Sequence, residues 1–99
     1  MAEHPLKVFE KIDPELFNLV QNTNTFALAE GALPKKFKLL IAMALDASHG
    51  SDHGVRALAE QAMKAGATRE EITEALRVAQ YVSGAGSIYT AANGLRDLF

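Results

Sequence analysis

Residues 37–72 read FKLLIAMALDASHGSDHGVRALAEQAMKAGATREEI, and this stretch decides the fold. Phe37, Leu40, Ile41, Ala44 and Leu45 recur at helical spacing, and Leu39 and Met43 add apolar surface on other sides of the same helix. A short chain has little with which to cover so apolar a helix. It is expected to be buried on two sides, by its own chain and by a neighbouring subunit. The polar elbow Ser48-His49-Gly50-Ser51-Asp52-His53-Gly54 ends it. Val55, Leu58, Ala59, Ala62 and Met63 then follow at i, i+3, i+4, i+7 and i+8, a full amphipathic helix pattern. Glu60 and Lys64 take its outer face in the favourable i, i+4 order. Gly66 closes that helix. Thr68 and Glu71 form a capping box that opens the next one, with Ile72, Ala75, Leu76, Ala79 and Val82 expected inward.

Working outward, Asp13-Pro14-Glu15 predicts a helix start: a capping carboxylate, Pro at the first helical position, then an acid near the positive end of the dipole. Before it, residues 5–12 suit a short amphipathic turn or two. Asn22-Thr23-Asn24-Thr25 predicts a break or bend before Phe26, and Gly31 suits a helix C-cap. Pro34 is expected at the first position of the central helix. Toward the other end, residues 83–87 (SGAGS) break the chain. A last helix should turn Ile88, Ala91, Ala92 and Leu95 inward. No segment alternates with period two for long enough to form a strand, so the class is all-α, in one domain spanning residues 1–99.

Composition removes several function classes. There are 10 basic and 12 acidic residues, with no basic block, which argues against nucleic acid as a partner. The longest apolar run, residues 39–45, falls far short of the ~20 residues a membrane span needs. The first residues, MAEHPLKVFEKID, carry acids and lack the apolar core of a signal peptide, so a cytoplasmic protein is expected. With no cysteine, disulfides, thiolate metal ligands and thiol nucleophiles are all absent. Seventeen alanines and no tryptophan favour close helix contacts over a core of large side chains.

The apolar helix running into a glycine elbow, Ala65-Gly66-Ala67 followed by Thr68-Arg69-Glu70-Glu71-Ile72, and the small-residue segment at 83–87 together resemble the carboxymuconolactone decarboxylase family, which includes the alkylhydroperoxidase D-like proteins. The resemblance spans roughly residues 33–95. It implies an all-helical alkylhydroperoxidase D-like bundle, with residues 1–32 as an N-terminal helical segment on a core of residues 33–99. It also implies a homotrimer or homohexamer. Peroxidase-type members carry Cys-x-x-Cys at the elbow, a His four residues later and a Glu one helix earlier. Those positions fall on Ser51, Gly54, Leu58 and Leu39, all four changed; only the family's His just before the second cysteine is matched, by His53. The decarboxylases' Glu and His fall on Gly54 and Leu58 and are missing too.

What remains at the elbow is His49, Ser51, Asp52 and His53. His49 and His53 are four apart, the spacing of two metal ligands on one helical face. Gly50 and Gly54 argue against a continuous helix there, and two His with one Asp are an incomplete ligand set, so no metal or cofactor is expected. An imidazole beside a carboxylate at the mouth of an apolar cleft is a plausible general acid or base. On that reading His53 with Asp52, His49 and Ser51 act as a cofactor-free lyase or isomerase site for a small carboxylate or lactone. The competing reading makes Ser51-Asp52 a helix cap and the histidines solvated, in a protein that binds a small ligand or serves as a structural oligomer. Tyr81 and Tyr89 are read as buried with satisfied hydroxyls, and Lys35, Lys36 and Lys38 as a solvated face.

One exclusion is independent of the choice between these readings. A serine hydroxyl is a far weaker nucleophile than a thiolate and cannot cycle through a disulfide. Purified, metal-free protein is therefore expected to show no turnover of a hydroperoxide with a dithiol donor. Measurable turnover would overturn the exclusion.

Overall fold

The computed structural model describes residues 5–99, and among these it contains helices and no strand. A 3-10 turn (Pro5–Lys7) leads into α1 (Val8–Ile12), followed by α2 (Pro14–Leu28), α3 (Lys35–Ser48), α4 (Asp52–Lys64), α5 (Arg69–Ser83) and α6 (Gly86–Leu95). The all-α class expected from the periodicity is what is seen. The helix starts follow their chemistry. Asp13 Oδ1 accepts the Leu16 N–H at 3.1 Å, with Pro14 opening α2. At α5 the capping box is complete: Thr68 Oγ1 accepts the Glu71 N–H at 3.0 Å, and Glu71 Oε1 accepts the Thr68 N–H at 2.9 Å.

The core is a ring of four helices. α3 packs on α4 and α5, and α6 closes the ring against both of those while also touching α3. α4 and α5 are consecutive in the chain yet sit at opposite corners. Leu39, Met43, Val55 and Ile72 are the large side chains fully enclosed at the centre. Each is worth roughly 1.5–3 kcal/mol of transfer from water. Small residues let the helices close in. α6 presents Ser87, Ala91 and Gly94 inward, at i, i+4 and i+7. A Cβ at Gly94 would stand 2.5 Å from the Asp52 carbonyl oxygen and 3.1 Å from Val55 Cβ. The buried Ser87 hydroxyl is satisfied by donating to the Gly84 carbonyl at 2.7 Å.

Several expectations are corrected. α2 runs unbroken through Asn22-Thr23-Asn24-Thr25, and Thr23 Oγ1 donates back to the Leu19 carbonyl at 2.9 Å, satisfying its hydroxyl inside the helix. Ala29, not Gly31, caps α2, and the left-handed glycines are Gly50, Gly66 and Gly84. Pro34 is the residue before the first turn of α3. The inward face of α6 is set by side-chain size: Gly94 is buried, whereas Ile88 and Ala92 are exposed. Met63 and Val82 lie at the surface, Met63 beside the fully buried Ala62 on the outward side of α4. Glu60 pairs with Arg56 at 3.0 Å. Tyr81 and Tyr89 are exposed, at 87% and 75%.

The N-terminal helices are attached differently. No residue of the 3-10 turn, α1 or α2 is buried. α2 touches α3 through its last turn, where Leu28 packs on the core and Lys38 Nζ donates to the Ala29 carbonyl at 2.6 Å. Leu16, Leu19, Thr23 and Phe26 form an open stripe along α2 at alternating steps of three and four, with Leu19 63% and Phe26 85% exposed.

Two predictions follow from this packing. Gly94→Ala should lower stability by about 1–3 kcal/mol in urea unfolding, because the obstructing atom is a backbone carbonyl that cannot swing away. Gly31→Ala, with nothing within 4 Å of the added carbon and no positive φ, should be neutral or slightly stabilising. The second concerns Glu71. The Thr68 backbone N–H first, and the Lys36 ammonium second, hold its carboxyl below its ordinary value of 4.5. A carboxyl lowered in the folded state contributes stability that is present above the unfolded value and lost as pH falls through the folded one. The stability difference between the native protein and Glu71→Gln should therefore shrink on acidification below about pH 4.5 and not above it. A difference constant across that range would remove the capping carboxylate from the pH dependence.

Candidate functional site

Two places bear chemistry, the elbow between α3 and α4 and a groove between α3 and α5. At the elbow, His49 caps the end of α3, Gly50 turns the chain at φ +83°, and the Ser51 N–H donates to the Asp46 carbonyl at 2.9 Å. Ser51 Oγ accepts the Gly54 N–H at 3.2 Å and so caps α4. Asp52 Oδ1 accepts the N–H of His53 at 2.9 Å within the first turn. His49 and His53 therefore belong to different helices, separated by the turn. Asp52 is half-buried and His53 is exposed. Among the described residues, no group of three or more His, Cys, Asp or Glu is placed to hold a metal ion.

Gly54 is the tightest point of the elbow. A side chain there would run into the Asp46 carboxylate, and its Cβ would stand 2.7 Å from Ser51 Oγ. Asp46 is a residue that sequence reasoning passed over, although it is the acid that ends the apolar run 39–45.

The groove follows from the registration of two helices. Lys36 Nζ meets Glu71 Oε2 at 3.0 Å, and the Ser83 hydroxyl donates to Ser48 Oγ at 2.9 Å. Both contacts join residues 35 apart in sequence, so α3 and α5 run parallel and in step, latched near each end. Twelve residues of helix separate Lys36 from Ser48, about 18 Å. Between the latches Ala44, Ala75 and Ala79 leave a hollow, flanked by the exposed side chains of Ile41, Leu45, Val78 and Val82. The space is about 920 Å³. Its polar lining gathers at the ends: Ser48, His49 and Ser83 at one, Glu71 and Glu74 at the other.

The site residues expected from sequence thus separate. His49 lines the groove, whereas Ser51, Asp52 and His53 do not. Ser48, Ser83, Glu71 and Glu74 join it without having been singled out for a site. The 35-residue offset that pairs them becomes visible only once α3 and α5 lie side by side. The lysine patch at 35–38 is dispersed, with Lys36 bound to Glu71 and Lys38 to the Ala29 carbonyl.

Comparisons with known proteins bear on the same helices. The model of the family described as carboxymuconolactone decarboxylase matches residues 14–97, taking in α2 as well as the core. The crystal structure of the apo form of a carboxymuconolactone decarboxylase family protein from Legionella pneumophila is similar to this chain. It has 37% identity and a TM-score of 0.86, covering 92% of this chain and 81% of that one. A search of the curated proteins finds no match. From the helix start at Asp13 to the last turn of α6, the chain belongs to the carboxymuconolactone decarboxylase family.

Proposed function

We propose that this family member works without thiol redox chemistry, as a homo-oligomer that holds a small, mostly apolar organic molecule in the groove between α3 and α5. The groove is the observation that supports this. Its volume of about 920 Å³ lies within the ~300–1,000 Å³ of small-molecule sites, and its lining is apolar with a few polar groups at the ends. Catalysis by His53 and Asp52 on a small carboxylate or lactone, the sharper reading of the elbow, needs both within reach of the ligand. His53 is exposed, and neither residue lines the groove. Ligand binding is therefore the better supported function, and His49 is the group in position for any proton transfer on the bound molecule.

Self-association is supported by surface area. The chain presents 6967 Å² to solvent, against about 5,500 Å² for a folded monomer of its mass. The excess is comparable with two interfaces of ~800 Å² per partner. The stripe Leu16, Leu19, Thr23 and Phe26, on an α2 that buries nothing of its own, is the surface we assign to a second copy.

Sedimentation and a solvent-sensitive fluorophore test the two halves. The native protein should sediment as an oligomer at micromolar concentration, and Leu19→Glu with Phe26→Ser should shift it toward monomer with helix content retained. A stable monomer in the native protein would sink the assembly reading. N-phenyl-1-naphthylamine should brighten on binding. Ala75→Phe, which fills the groove, and Val78→Asp, which charges its wall, should each weaken it about tenfold or more. His49→Gln should change the affinity and His53→Gln should not. Binding that ignores Ala75→Phe and Val78→Asp would place the fluorophore elsewhere and remove the groove as the site.

A further inference from the structure

The hydrogen-bond directions in the groove carry more than its shape. Ser48 Oγ donates its proton to the Ala44 carbonyl at 3.1 Å. The 2.9 Å contact between Ser48 and Ser83 must then use the proton of Ser83. Both hydroxyl protons are thus spent inside the protein, and what the pair offers to the groove is lone pairs. At the other end Glu71 is a carboxylate held in its charged form, accepting from the Thr68 N–H and from Lys36. Glu74 also lines the groove and has neither a hydrogen bond nor an ion pair among the described residues. Lys36, the cation at that end, is taken by Glu71. His49 adds at most one donor while it is neutral.

Resting on the reading of this groove as a ligand site, we infer that it selects an amphiphile whose polar groups are hydrogen-bond donors, an amine above all, over a carboxylate with the same apolar body. An ammonium group at the Glu74 end meets an unpaired negative charge and donates to its oxygens. An ammonium or hydroxyl at the Ser48–Ser83 end meets acceptors alone. A carboxylate at either end finds acceptors facing acceptors along the lining; the donors near it are the ring N–H of His49 and the Lys36 ammonium, which is already paired with Glu71 and lies outside the lining. Glu74 lies nine residues before Ser83, about 14 Å along α5, so an extended apolar body fits between the ends. The neutral apolar lining between them gives the body its affinity and leaves the head group to decide among ligands.

The experiment is displacement of N-phenyl-1-naphthylamine from the full-length protein by octylamine, 1-octanol and octanoate at pH 7 and constant ionic strength. Octylamine should displace at about 1.5- to fivefold lower concentration than octanoate, the range set by one exposed charge pair, with octanol between them. Glu74→Gln should bring octylamine close to octanol, and Ser83→Ala should weaken octanol. Both residues are exposed, so neither change is expected to disturb the core. Octanoate binding as well as or better than octylamine would overturn the inference. So would a ranking unchanged in the Glu74→Gln, Ser83→Ala double variant, because the preference would then come from the overall negative charge of the protein. In both cases a fluorophore still sensitive to Ala75→Phe would leave the groove itself standing as a site. A native protein that excludes the fluorophore, together with a Leu19→Glu, Phe26→Ser variant that admits it, would instead make a second copy the occupant and remove both readings.

Discussion

The rest of the structure depends on the burial of one face of α3. Leu39 and Met43 are enclosed on that face, and the helix is in contact with α4, α5 and α6. α6 also reaches the other three, but its contact with α3 is the slightest of its contacts. A chain of 99 residues has few large side chains with which to build a core, and this one has no tryptophan. It therefore gains its packing by approach. Ala47, Ala59, Ala62, Ala79 and Ala91 are buried where the helices meet, and Gly94 brings α6 onto the start of α4. Close approach makes the interfaces sensitive to a single added methyl group, because dense packing leaves it nowhere to go.

The same economy produces the groove. Small residues that serve close contact on the inner side of α3 and α5 leave a hollow on their outer side, where Ala44 and Ala75 face no covering helix. Two polar contacts hold the helices in step at either end of that hollow. Neither is strong by itself: the Lys36–Glu71 pair is partly exposed, and exposed ion pairs contribute little. Their importance lies in registration. They set which residues face each other across the space, and hence which polar groups stand at its ends.

How much of this was legible in the sequence follows from what each signal measures. Periodicity reports which face of a helix is apolar, so α3, α4 and α5 were readable, the last two with their caps, as was the turn at the elbow. It does not report which of two apolar faces finds a neighbour. That is why Leu39 and Met43 become core while Ile41 and Leu45 on the same helix remain exposed. At residues 22–25 the helix continues where a break was expected, and the Thr23 hydroxyl, which local propensity counts against the helix, finds its acceptor four residues back in the Leu19 carbonyl. The α6 face was half legible: Ala91 is buried and Leu95 packs on the core as expected, but hydrophobicity ranks Ile88 above Gly94, whereas packing against Asp52 and Val55 needs the smallest residue. Of the elbow residues, Ser48 and His49 reach the groove. The other polar groups of the lining, Glu71, Glu74 and Ser83, lie on α5, 22, 25 and 34 residues beyond His49, and a single sequence offers no signal that pairs them.

The elbow also explains why the missing chemistry is not simply a matter of missing sulfur. The resemblance places the two redox cysteines of peroxidase-type relatives on Ser51 and Gly54, and their relay Glu on Leu39. In this chain each position has a structural task. Ser51 caps α4 through the Gly54 N–H. Leu39 is part of the enclosed core, where an unpaired carboxylate would be costly. At Gly54 the space a side chain would need is taken by the Asp46 carboxylate and Ser51 Oγ. A cysteine at 54 therefore requires the Asp46 carboxylate, at the end of α3, to swing aside. The departure from the redox pattern is a coupled set of changes spread over α3 and α4. With the elbow committed to capping and turning the chain, the polar groups left facing an apolar space are those along α3 and α5.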